Sequence, residues 1–173
     1  LQGDAVIPGI YKNFGVETEF VNGGVRLTKN SEFKNQNSEL AFDFVNCPDV
    51  AQTVAVTCSA LNVKAKLTGL KTLRIKETDR LTALQSELTK LGFSVEVEGD
   101  VLFILPSLRG TKQSCAAENE IASLYSVSFA ITSIGTYNDH RMAMAFAPLA
   151  LQDPIVIANE TVVSKSYPNF WKD

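Results

Sequence analysis

Leu81, Leu84, Leu88 and Leu91 recur at i, i+3, i+7 and i+10, a spacing that predicts a helix with one apolar stripe. Gly92 follows as its stop, since glycine enters the left-handed conformation of a helix end without steric cost. Val95 and Val97 then alternate with polar neighbours as far as Gly99-Asp100, a two-residue turn signal that predicts a β-hairpin. Two further segments are apolar on nearly all sides, DVAQTVAVTCSAL at 49–61 and DHRMAMAFAPLAL at 139–151. Both are predicted to be buried helices. LAFDFV, ahead of Asp49, reads as a strand. Near the start, a weaker helix is predicted to break at Pro8 and Gly9, and a hairpin over residues 16–27 turns at Gly23-Gly24. Residues 106–136 are the least legible. PSLRGTKQSCAAENE is loop-like, while IASLYSVSFAITSIGTY fits one strand, two short strands, or a helix and a strand.

The pattern repeats along the chain. Superposing 49–61 on 139–151 aligns the leading aspartates, Ala55 with Ala145, and the closing Ala-Leu pairs. Each copy then runs through a predicted strand to a lysine at its exit, Lys76 in the first and Lys165 in the second. A second echo joins the chain from Asp4 to the chain from Asp79, each reading as helix, glycine stop and hairpin. One full unit therefore reads strand, helix, strand, helix, strand, strand over residues 39–106. Residues 1–38 end an earlier unit, and 107–173 hold an unassigned loop and the start of a later one. The class is α/β, built of repeated βαβαββ units. Such units share buried faces with their neighbours, so the domain is expected to be incomplete within these 173 residues. The opening at Leu1, without methionine, adds the expectation that the chain is a piece of a longer one.

Composition changes this picture little. With 45% hydrophobic residues, 20% charged residues and a net charge of −3, the chain reads as ordinary globular protein, and no nucleic-acid partner is expected. It has no run of about 18 apolar residues and no leader pattern, so no membrane association is expected. Cys47, Cys58 and Cys115, in strand-like, helical and loop-like contexts, form no CxxC pair. Free thiols in a cytoplasmic protein are the expectation.

The placement of charge changes more. Asp49 follows Pro48 at a helix start, where its ordinary role is an N-cap accepting backbone N–H groups. Lys76, Glu77 and Arg80 gather at the start of the leucine-striped helix. An exposed Glu77–Arg80 pair would contribute only a few tenths of a kcal/mol, yet positions 77 and 80 are predicted to continue the buried stripe to its tip. Lys76 and Arg80 also stand at the positive end of the helix dipole, which disfavours cations and welcomes an anion. Asp139, His140 and Arg141 pose the same anomaly at the mouth of an apolar helix. His140 is the only histidine of the chain, and a lone histidine is more often an ordinary core or surface residue than a catalytic one. Together, Lys76, Arg80, Arg141 and Lys165 as cations, with Asp49, Glu77, Asp139 and His140, suit a small polyanion and acid–base chemistry.

In CPDVAQT, LRIKETDRL, YNDHRMAMAF and VVSKSYPNFW, in that order, the chain resembles the 5-enolpyruvylshikimate-3-phosphate synthase family of enolpyruvyl transferases. The resemblance covers most of the chain, and the four motifs together are specific where KETDR alone is only suggestive. It implies an inside-out α/β barrel of the enolpyruvyl transferase type, with two domains of three βαβαββ units each and helices inside a sheet-walled shell. The chain would be part of the C-terminal domain, working with a missing N-terminal domain that carries most of the shikimate 3-phosphate site. The implied reaction moves the carboxyvinyl group of phosphoenolpyruvate to the 5-hydroxyl of shikimate 3-phosphate and releases phosphate through a tetrahedral ketal. By the same resemblance Asp49 and Glu77 carry the proton transfers, with Asp49 also touching the shikimate hydroxyl. Lys76 meets the shikimate ligand and takes part in proton transfer. Arg80, Arg141 and Lys165 bind phosphoenolpyruvate, with His140 and Asp139 alongside. No metal or organic cofactor is implied.

One position departs from the pattern, since some members have asparagine where Thr72 stands here. Residues 107–128 match no motif of the family. Two other readings stay open. A related transferase acting on UDP-N-acetylglucosamine shares fold and chemistry but is not expected to combine KETDR with DHRMAM. A non-catalytic module reusing the fold would have little need of Asp49, Glu77, Arg80, Arg141 and Lys165 together. The piece by itself is expected to be inactive, because acid–base groups act only on substrates held in place.

Overall fold

The computed structural model describes residues 3–30, 39–107 and 132–173. Its first part is a short 3-10 turn, helix α1 (Ile7–Lys12) and an antiparallel hairpin of β1 (Val16–Val21) and β2 (Gly24–Lys29). Then come β3 (Leu40–Asp43), α2 (Ala51–Ala60), β4 (Ala65–Thr68), α3 (Arg80–Lys90), β5 (Ser94–Glu98) and β6 (Val101–Leu105). The last part holds β7 (Thr132–Ile134), α4 (His140–Phe146) and β8 (Ile155–Ile157). From β3 to β6 the order is strand, helix, strand, helix, strand, strand, as the hydrophobic pattern predicts.

These strands form one sheet in the order β3-β4-β6-β5. β3 and β4 are parallel with α2 as their crossover, and β6 pairs antiparallel with both β4 and β5. β7 and β8 are again parallel, with α4 between them in sequence. The two Asp-led segments thus share a backbone architecture, because a connection between parallel strands needs a crossover and a helix supplies it. The α2 and α4 helices pack on each other near matching positions: the Gln52 amide donates to the Met142 sulfur at 3.0 Å across 90 residues of sequence.

The core follows the predicted stripes. Leu81, Leu84 and Leu88 of α3 are fully buried with Leu67 of β4, Leu102 of β6 and Phe146 of α4. Each such side chain contributes about 1.5–3 kcal/mol relative to an exposed one. Gly92 has φ of 79°, and the N–H groups of Gly92 and Phe93 return to Thr89 and Leu88, closing α3 as expected of a glycine stop.

Several expectations need correction. α1 runs through Pro8 and Gly9 instead of breaking there, because Pro8 lies in the first turn, whose N–H groups have no helical partner to lose. Cys47 is not in a strand. Its N–H bonds back to the Phe44 carbonyl at 3.0 Å, a turn that leads into the 3-10 segment Pro48–Val50. Asp49 belongs to that segment and not to an N-cap, so α2 starts only at Ala51. Glu77 precedes α3 and does not extend its stripe, since Asp79 is the N-cap and Arg80 the first helical residue. Neither lysine sits directly at a strand's exit: a 3-10 turn, Lys71–Ile75 or Glu160–Lys165, follows the strand in each copy. The apolar run after His140 is α-helical only to Phe146 and tightens to a 3-10 helix over Ala147–Leu151, where Pro148 lacks an N–H. Most of the ambiguous stretch before β7, and Cys115 with it, lies outside the described residues.

Candidate functional site

The site is organised around Arg80. This residue opens α3, so its side chain points back past the helix N-terminus, and it is only 2% exposed. Its guanidinium meets Asp139 through Nε and, at 3.1 Å, through Nη2. It also donates to Asp49 through Nη1 at 2.7 Å and to Glu77 through Nη2 at 2.6 Å. A planar fork of fixed donors is the group able to serve carboxyls arriving from separate elements. The cation at a positive helix end is offset by the carboxylates around it.

Asp139 is fully buried and has two tasks. Its Oδ1 accepts from the Arg141 N–H at 2.9 Å, capping α4, while both oxygens hold Arg80. Such a pair survives burial because the surrounding hydrogen bonds replace water. Asp49 keeps 31% of its side chain open. Besides Arg80 it faces Lys76 Nζ at 3.5 Å and Arg141 Nη2 at 3.6 Å. His140 Nδ1 lies 3.9 Å from Asp139. Seven of the eight site residues expected from sequence therefore converge. Lys165 ends its 3-10 turn exposed, and among the described residues the ion pairs of the cluster do not reach it.

Glu77 is held below the usual carboxylate range by its own backbone N–H, and beyond that by the charges of Arg80, His140 and Lys76, which outweigh its slight burial. Its side chain is 52% exposed, so it is an ionised group at the open face of the cluster. Asp79 holds the start of α3 by accepting from the Thr82 N–H at 3.0 Å, and Arg74 ties it at 3.2 Å to the β5–β6 hairpin through Asp100.

The turn that delivers Asp139 was not singled out by sequence reasoning. Tyr137 and Asn138 both have positive φ, 54° and 59°, a conformation costing about 1–2 kcal/mol for a residue with a Cβ. Glu87, fully buried on α3, touches this turn through Gly135 and Tyr137. A signal for it existed: positions 80, 84, 87 and 91 share one side of the helix, so Glu87 is a charged residue within the leucine stripe. Among the described residues no His, Cys, Asp and Glu side chains group as metal ligands, and no helix is long and apolar enough to cross a membrane.

The sequence profile of EPSP synthase (3-phosphoshikimate 1-carboxyvinyltransferase) matches residues 1–173. A 3-phosphoshikimate 1-carboxyvinyltransferase of Bacteroides fragilis (strain YCH46) is 42% identical over 99% of this chain and 38% of its own length. One from Clostridium novyi (strain NT) is 32% identical over 100% of this chain and 35% of its own. The chain thus spans little more than a third of these relatives. Among solved structures, EPSP synthase from Acinetobacter baumannii superposes with a TM-score of 0.63 at 20% identity, over 95% of this chain and 36% of that one. That likeness shows the fold, an inside-out α/β arrangement.

Proposed function

The chain belongs to the EPSP synthase (3-phosphoshikimate 1-carboxyvinyltransferase) family, and from that premise we propose that it supplies part of a site transferring the carboxyvinyl group of phosphoenolpyruvate to the 5-hydroxyl of shikimate 3-phosphate. The observation that carries this reading is the convergence on Arg80 of Asp49, Glu77 and Asp139, with Lys76 and Arg141 beside Asp49. Cations and carboxyls interleaved at one open face suit a reaction that holds two anions while moving protons.

In this reading Arg141 and Lys165 bind phosphoenolpyruvate, and Lys76 meets the shikimate ligand. Asp49 and Glu77 move the protons: one must reach the vinyl methylene and another must leave the attacking hydroxyl before the ketal expels phosphate. Glu77, already ionised, starts as the proton acceptor. Arg80 reaches the ligand by exchanging Glu77 or Asp49, its two solvent-facing partners, while Asp139 keeps the guanidinium in place. Asp139 and His140 stand alongside these groups.

The cluster holds as many carboxylates as cations, so anion binding by this chain alone is expected to be weak. Turnover requires the rest of the site, supplied by an N-terminal domain. The division into units at 1–38, 39–106 and 107–173 belongs to the same proposal, as does a cytoplasmic place of work, which the free, buried thiols of Cys47 and Cys58 suit. The test is phosphate release by a full-length enzyme carrying this chain, with phosphoenolpyruvate and shikimate 3-phosphate. Turnover with that pair is expected. Silence with it, or turnover only when UDP-N-acetylglucosamine replaces shikimate 3-phosphate, would overturn the reading.

A further inference from the structure

We infer that Glu87 is a positioning residue for this site, fixing from α3 the turn that delivers Asp139, His140 and Arg141. The inference rests on the function proposed above but turns on Glu87, Gly135 and Tyr137, which have no part in it. Glu87 is fully buried on α3, and its carboxyl accepts from the Tyr137 hydroxyl at 2.6 Å, the Gly135 N–H at 3.1 Å and Lys90 Nζ at 2.6 Å. Its buried neighbours on the helix include Ala83, Leu84 and Leu88. A buried carboxyl without partners would be strongly unfavourable, so packing alone would place another apolar side chain here. What the carboxyl adds is a grip on backbone and hydroxyl donors of one particular turn.

The gripped turn needs holding. Tyr137 and Asn138 are both left-handed, and the Asp139 N–H closes back onto the Thr136 carbonyl at 2.9 Å. Gly135 is fitted to the grip: a Cβ there would lie 3.2 Å from Glu87 Oε1 and 3.2 Å from the Tyr137 ring. The Tyr137 hydroxyl is pushed up in pKa first by its bond to Glu87 and then by burial, so it remains a donor at neutral pH. Arg80 and Glu87 are two turns apart on one side of α3, and they hold two points of one short loop. Arg80 clasps Asp139, and Glu87 clasps Gly135 and Tyr137. Asn159 adds a tie to Asn138 at 2.9 Å, but without the Glu87 clasp the start of the turn would be free to shift, carrying His140 and Arg141 away from the ligand. With both clasps its orientation is set.

The experiment uses the full-length enzyme, with Tyr137→Phe, which deletes only the hydroxyl, and Glu87→Gln, which keeps size and an acceptor. Steady-state constants for both substrates and the melting temperature are measured. The expected result is a rise in KM for phosphoenolpyruvate of roughly tenfold in each variant, with KM for shikimate 3-phosphate unchanged, since misplacing a positioned group by about 1 Å weakens what it holds. The smaller effect is expected in Glu87→Gln. Unchanged KM for phosphoenolpyruvate in both variants overturns the inference, and so does a lower melting temperature as the only change, which would assign Glu87 to stability alone. Absence of turnover in the unmodified enzyme would instead overturn the proposed function.

Discussion

The segments led by Asp49 and by Asp139 align in sequence, lie between parallel strands and pack against each other, yet their leading carboxyls have opposite fates. Asp139 is buried, caps α4 and is locked to Arg80. Asp49 caps nothing and stays partly open among three cations. The difference coincides with Pro48. It starts a 3-10 turn that moves the onset of α2 two residues past Asp49 and frees that carboxyl from backbone duty. Two matching positions thus carry acids in different surroundings, one buried as a cap and one left partly open beside the cations.

The sharpest way to break this comparison is to remove each acid in turn from the full-length enzyme. Asp139→Ala leaves Arg80 buried without its main partner, and the expected loss in urea unfolding is about 3–5 kcal/mol. Asp49→Ala removes a partly exposed partner and is expected to cost at most about 1 kcal/mol, while turnover falls severely. Equal stability losses would mean that the two acids are not divided as described. A smaller effect is expected at the matched pair Gln52 and Met142. Among the described residues Gln52 Oε1 is buried without a hydrogen-bond partner, so Gln52→Met, which makes the two helices alike, is expected to be neutral or stabilising by up to about 1 kcal/mol. A clear loss in melting temperature would show that the amide matters at this contact.

The smallest effect concerns Glu77. Because its folded-state pKa is lowered, its contribution to stability is present above the usual glutamate range and is lost as the pH falls through the folded value. The melting temperatures of the parent and Glu77→Gln enzymes should therefore differ slightly at neutral pH and converge in acid. A difference that grows in acid would reverse the assigned direction.

Most elements of the described fold were legible because their causes are local. The leucine stripe, Gly92 and Gly99-Asp100 specify α3, its stop and the following hairpin through neighbours only a few residues away. The charged cluster was legible as a set of residues, Lys165 excepted, but not as an arrangement. Asp49 reads as an N-cap until Pro48 delays the helix, and Glu77 reads as part of α3 until Asp79 takes the cap. Glu87 was visible as a charge on an apolar stripe, but nothing nearby in sequence names its partners in the turn at Gly135 and Tyr137.

The sequence by itself determined most of the helices, strands and turns and which charged residues stand near helix mouths, since periodicity, capping and turn propensity act between near neighbours. Only the tertiary structure decided which of those charges meet. Arg80 and Asp139 lie 59 residues apart, and their pairing depends on α3 and α4 entering one core with their N-termini together. That outcome is set by the packing of whole apolar faces, and the charges at the helix tips are carried to it.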